Sequence, residues 1–140
     1  MKKILNITAI VLMMVFSNSC ILEDVEPEYD IVGAVGTISA LSVSSNNPSV
    51  GQTVTFSATI YSEHENAREL RMNRVSGGTV TNITTRTFST WNRQDSYVET
   101  FPYQVPAGTG GTTVTIQFEL ITESGFSTTR NINLNVRAGG

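Results

Sequence analysis

The chain has 140 residues with nine Lys or Arg, twelve Asp or Glu, one His and one Cys. Both lysines are at positions 2 and 3, so the remainder sets seven arginines against twelve acids, a net charge of about −5, and five of those acids crowd between Glu23 and Asp30. The segment beyond Asp30 is neutral and has no basic stripe, which excludes a nucleic-acid binder, because such affinity rests on neutralising phosphates.

Lys2 and Lys3 precede a mostly apolar run, Ile4 to Phe16, broken only by Asn6 and Thr8. The run is too short for the roughly 20 residues a membrane-spanning helix needs and fits a cleaved export signal. Ser17-Asn18-Ser19 leads from it into Cys20, the single cysteine. This stretch resembles the lipobox of bacterial lipoproteins of the Bacteroidota type, with Ser17 where Leu is most common and Asn18 where Ala or Ser is usual. The resemblance implies cleavage before Cys20, acylation of its thiol, palmitate among the chains, and attachment to the membrane. The acidic leader Glu23-Asp24-Val25-Glu26-Pro27-Glu28 resembles the tag that sends such proteins to the exterior face of the outer membrane. An ordinary secretory signal is the competing reading, but it leaves a lone exported thiol without a disulfide partner. The expected organisation is a signal peptide over 1–19, a lipidated cysteine and flexible acidic linker over 20–37, and one β domain over 38–138.

From Ile38 onward the apolar residues recur with period two, and no window shows a helical repeat. Ile31 to Thr37 reads as a spacer or an edge strand, and Ile38 to Ser44 as a first strand. Asn46-Asn47-Pro48-Ser49 is a turn. Thr53 to Tyr61 alternates cleanly, with Val54, Phe56, Ala58 and Ile60 on the buried face. Ser62 to Asn66 is a polar connection. Glu69 to Val75 places Leu70 and Met72 inward, Gly77-Gly78 turns the chain, and Thr79 to Thr84 is a short strand. Arg86 to Asn92 is a further strand or a loop.

Ser96 to Val105 has a parity conflict, since strict alternation would put Glu99 on the same face as Tyr97, Phe101, Tyr103 and Val105. Burying an unpaired carboxylate is unfavourable by several kcal/mol. A bulge near Thr100 is therefore expected, with Val98 inward before it and Phe101, Tyr103 and Val105 inward after it. Pro102 cannot donate to a ladder and belongs at an edge or bulge. Ala107 to Thr112 is a glycine-rich turn, Thr113 to Thr122 the strongest strand, and Glu123-Ser124-Gly125 a hairpin turn into Thr128 to Val136.

Seven or eight short strands without a covering helix predict an all-β, antiparallel two-sheet sandwich, with an up-and-down barrel as the other solution. Pro-Ser-Val-Gly-Gln-Thr-Val-Thr-Phe-Ser-Ala (48–58), Tyr-Gln-Val-Pro-Ala-Gly (103–108), Thr-Val-Thr-Ile-Gln-Phe (113–118) and Glu-Ser-Gly-Phe-Ser (123–127) together resemble the immunoglobulin-like domains of bacterial envelope lipoproteins. The Cys-Trp-Cys core of antibody domains is absent, so the resemblance implies architecture and transfers no functional residue.

No catalytic or cofactor motif stands out. His64 sits between Glu63 and Glu65 on a loop, where adjacent side chains do not converge as a zinc site requires. The loop acids Glu63, Glu65, Asp95 and Glu123 lack the clustered spacing of a calcium loop. No Gly-x-Ser-x-Gly elbow or phosphate loop is present, and Glu99 and Glu119 read as outward strand residues. The candidate recognition residue is Trp91, in the polar stretch Thr90 to Asp95, where it either covers one end of the sandwich or stacks on a ligand. Arg93, Tyr97 and Tyr61 are candidates to extend its surface. The expected protein is a non-catalytic, membrane-anchored surface lipoprotein whose sandwich is a binding or structural module. Its alternatives are a glycan-capture accessory that holds polysaccharide, and a subunit of an envelope or fimbria-like assembly with a protein partner.

Overall fold

The computed structural model describes residues 33–139. The export signal, Cys20 and the acidic leader lie outside the described residues.

Seven strands succeed one another: β1 (Thr37–Val43), β2 (Thr53–Tyr61), β3 (Ala67–Ser76), β4 (Thr79–Thr87), β5 (Ser96–Gln104), β6 (Thr113–Thr122) and β7 (Ser127–Asn135). They form two antiparallel sheets, one ordered β1-β2-β5 and the other β4-β3-β6-β7. This is an immunoglobulin-like sandwich rather than a barrel. Its fourth strand pairs with β3, not with β5, so the sheets have three and four strands.

Alternation builds the core. Val54, Phe56, Ala58 and Ile60 of β2 face Leu70 and Met72 of β3 and Val114, Ile116, Phe118 and Leu120 of β6, all buried. Phe56 and Phe101 pack on Phe118 with ring centroids 5.7 and 5.4 Å away, filling the space between the sheets. Each such side chain contributes about 1.5–3 kcal/mol by leaving water.

Strand β5 corrects one sequence expectation. Its register with β2 runs unbroken from Thr53↔Gln104 to Tyr61↔Ser96, so there is no bulge near Thr100. Val98 points outward and is 62% exposed, while Glu99 shares the inner face with Tyr97, Phe101 and Tyr103. The carboxylate is tolerated there because Arg86 reaches it at 2.8 Å. Pro102 does sit on an edge strand, paired only with Thr55 of β2.

The bulge occurs instead on β4. Met72 pairs with Thr84 and Asn73 with Asn82, leaving Ile83 as the extra residue. An extra residue reverses the alternation beyond it. Val80 and Asn82 therefore share the outer face with Thr85, and Arg86 turns inward to Glu99 and over the Phe101 ring. The strand is longer than the expected Thr79 to Thr84. It takes in Arg86 and Thr87, and only Phe88 to Asp95 is loop.

Arg130 of β7 closes the opposite seam, donating to the carbonyls of Ile38 and Ser39 at 3.1 and 2.7 Å. Those carbonyls are accessible because β1 has its own register break between Ile38 and Ala40.

Candidate functional site

At one end of the sandwich, here the N-terminal pole, four segments meet: Gly33 to Gly36, Ser62 to Asn66, Phe88 to Asp95 and Glu123 to Phe126. Side chains hold them together. Ser62 is fully buried at the end of β2, its hydroxyl accepting from the Gly36 amide at 3.0 Å and donating to the Glu65 carbonyl. The Glu63 carboxylate accepts from the Ala34 amide at 2.9 Å, and the Ala34 carbonyl accepts from the amides of Glu63 and His64. The segment entering β1 is thereby clamped from both sides.

Glu65 reaches the β6–β7 turn. Its carboxylate accepts from the Thr122 hydroxyl, the Ser124 hydroxyl at 2.8 Å and the Ser124 amide at 3.2 Å. The Thr122 bond foremost, then that of the Ser124 hydroxyl, hold its pKa below the ordinary carboxyl value against a smaller opposing effect of burial. Asn66 accepts from Arg93 Nε at 3.1 Å and donates to Glu123 at 3.2 Å.

Trp91 lies over the core at this pole, half-buried. Its indole N–H donates to the Ser62 carbonyl at 3.0 Å. Tyr97 stacks against it with centroids 4.4 Å apart, and Phe88 meets it edge-on at 5.2 Å. The Tyr97 hydroxyl accepts from the Asn92 amide at 2.9 Å, tying the loop to β5.

The sequence candidates are therefore divided. Trp91 and Tyr97 come together, Arg93 joins them through the same loop, and Tyr61 stands on the outer face of the three-stranded sheet, opposite the side that carries Ile60. Phe88, Ser62 and Glu65 complete the pole, and no sequence motif singles them out. Ser62 meets Gly36 and Trp91, 26 and 29 positions away, and Glu65 meets Thr122 and Ser124, 57 and 59 away, beyond the reach of any local pattern.

The loop acids each have their own donor, with Asp95 accepting from Asn92 at 2.7 Å. Among the described residues no three His, Cys, Asp or Glu side chains are placed to hold a metal ion. Elsewhere, Tyr103 buries a hydroxyl that has no hydrogen-bond partner among the described residues. Burial pushes its pKa up, with the Arg74 charge acting the other way.

The second feature is an edge. Every residue of β4 is exposed, including Val80 at 52% and Ile83 at 40%, and among the described residues its outer backbone groups have no neighbouring strand.

No protein-family model and no curated protein matches the chain. Among solved structures it is similar to a Niemann-Pick type C2 protein from Japanese carpenter ant, with a TM-score of 0.53 and 9% identity. That match covers 76% of this chain and 96% of the other. It is also similar to Spo0M, a sporulation control protein from Bacillus subtilis, with a TM-score of 0.54 and 15% identity. In that case it covers 77% of this chain and 51% of the other, so the chain spans about half of that protein. At these identities the likeness is one of fold.

Proposed function

We propose that the protein is a non-catalytic surface lipoprotein, held on the outer membrane by acyl chains on Cys20, whose sandwich serves as a binding or structural module. The supporting observation is the clamp on Gly33 to Gly36. Ser62 and Glu63 grip this segment at the N-terminal pole, so a pull along the leader is borne by the core. From Cys20 to Gly33 the chain can extend at most about 45 Å. The tether is thus taken up at this pole, and both sheet flanks and the opposite pole carry no part of it.

Intact-mass measurement of the mature protein tests the reading. A chain beginning at Cys20 with added acyl mass is expected, together with loss of membrane sedimentation in Cys20→Ala. A mature chain beginning elsewhere with a free thiol would overturn it.

The exposed β4 edge favours the structural form of the same reading, in which a strand of an envelope partner extends the four-stranded sheet. Pro at Thr85, whose N–H faces away from β3, should abolish such a complex without releasing the protein from membranes. Detergent extraction after cross-linking distinguishes this from a monomeric particle.

A further inference from the structure

We infer that the outer face of the four-stranded sheet is a binding platform for a linear, neutral saccharide chain. This deepens the binding-module reading above by naming a site and a ligand class, and it rests on that reading.

Register places side chains in rows across β4, β3, β6 and β7. One row is Asn82, Asn73, Gln117 and Asn131, an amide on each of the four strands. The row beside it is Thr85, Arg71, Glu119 and Thr129. Four strands separated by about 4.8 Å carry the amide row across about 14 Å. The β4 half of this surface is an open groove of about 410 Å³, lined by Arg71, Asn73, Val80, Asn82, Thr85 and Glu119.

Asn73 forms the floor. It is only 3% exposed, and its Oδ1 accepts from Asn82 Nδ2 at 2.9 Å. Its own Nδ2 has no protein acceptor among the described residues and, unlike the Tyr103 hydroxyl, is not sealed from solvent. A donor thus remains at the base of a polar groove. The bulge at Ile83 is what brings Asn82 and Thr85 to the same side.

The charges select the ligand. Arg71 lies between Glu69 at 2.5 Å and Glu119 at 3.6 Å, so the groove's own cation is already neutralised and is not left over for a phosphate, sulfate or uronate. Amides and hydroxyls offer both donors and acceptors, which suits vicinal sugar hydroxyls. Val80 supplies an apolar rim for a ring face. The row spans the sheet without end walls, which fits an extended chain better than a single sugar.

The test uses the 15N-labelled mature chain in detergent micelles, titrated with cellohexaose, xylohexaose and mannohexaose, with oligogalacturonate as the anionic counterpart. At least one neutral hexasaccharide should shift the side-chain NH2 signals of Asn73, Asn82, Gln117 and Asn131. Replacing the exposed-face Gln117 and Asn131 together by Ala should weaken binding by about tenfold, as loss of one or two hydrogen bonds implies. Trp91→Phe should leave it unchanged. Shifts centred on Trp91 and Tyr97, tighter binding of oligogalacturonate, or no shift with any neutral hexasaccharide would overturn the proposal. The mass of Cys20 is read on the same sample. An acylated chain with a silent sheet face removes this inference alone, and a responsive face on an unacylated chain removes only the lipoprotein reading.

Discussion

The two poles of the sandwich are built by different means. At the N-terminal pole the segments are joined through side chains: Ser62, Glu63, Glu65, Asn66 and Trp91 each bond across to another loop. At the C-terminal pole backbone groups do most of this work. Gly51 donates to Val105, Val105 to Gln52, Val136 to Thr112, Asn135 to Asn46 and Arg137 to Pro48, all within 2.8–2.9 Å. A backbone lattice survives most substitutions. A side-chain lattice depends on particular residues, so sequence change and pH should act mainly on the N-terminal pole.

The largest effect is expected from Trp91→Ala. Removing a half-buried indole that packs on Tyr97, Phe88 and the core should lower stability by about 3 kcal/mol, at the low end for such truncations. Urea unfolding measures it, and Trp91→Phe should recover much of the loss. A change under about 1 kcal/mol would mean that the ring does not cover the core.

Next is Ser62→Ala. Its hydroxyl is the side-chain partner of the buried Gly36 amide, and leaving that donor unsatisfied should lower stability by about 1–3 kcal/mol. Amide exchange at Gly36 should quicken more than exchange within β6. Equal quickening at both would show that the pole does not open separately from the sheets.

Acid provides a gentler probe. Glu65 has a lowered folded pKa, so its contribution is complete above the ordinary carboxyl value and is lost as pH falls through the lowered one. Ser124 amide exchange, corrected for its intrinsic pH dependence, should lose protection in that window, while the Gly51 and Val105 amides keep theirs. Glu65→Gln should flatten the difference. An unchanged profile in the variant would assign the acid response to another group.

Legibility in the sequence divides along the same line. Turns at the C-terminal pole announce themselves through Pro48 and through Gly108 and Gly111, which adopt positive φ of 80° and 74°. Strand faces are legible wherever alternation is clean, as in Thr53 to Tyr61 and Thr113 to Thr122. Strand β5 misleads because Glu99 looks unpaired along the chain. Its partner Arg86 is in the other sheet, and it points inward only because Ile83 bulges. Similarly, Asn131 reads as outward, but its alignment with Gln117, Asn73 and Asn82 depends on the register of four strands. The isolation of Trp91 in a polar stretch marks it as either a cover for the core or a ligand platform, whereas the Ser62 carbonyl that fixes it gives no local signal.

The smallest expected effect is at the opposite pole and gives the comparison its sharpest form. Gln52 accepts from the Ser49 amide through its side chain at 3.0 Å, in an exposed turn. Its backbone makes two further bonds, donating to the Ser49 carbonyl at 3.1 Å and accepting from the Val105 amide at 2.9 Å. Alanine removes only the first, and water can replace it, so Gln52→Ala should change stability by about 0.5 kcal/mol. Proline at the same position deletes the backbone donor to Ser49 and should be the more harmful of the two. Urea unfolding of the pair measures where the strength resides. If Gln52→Ala proved as damaging as Ser62→Ala, this pole too would depend on side chains, and the asymmetry that puts the acid-sensitive, clamped end of the domain beside the leader would disappear.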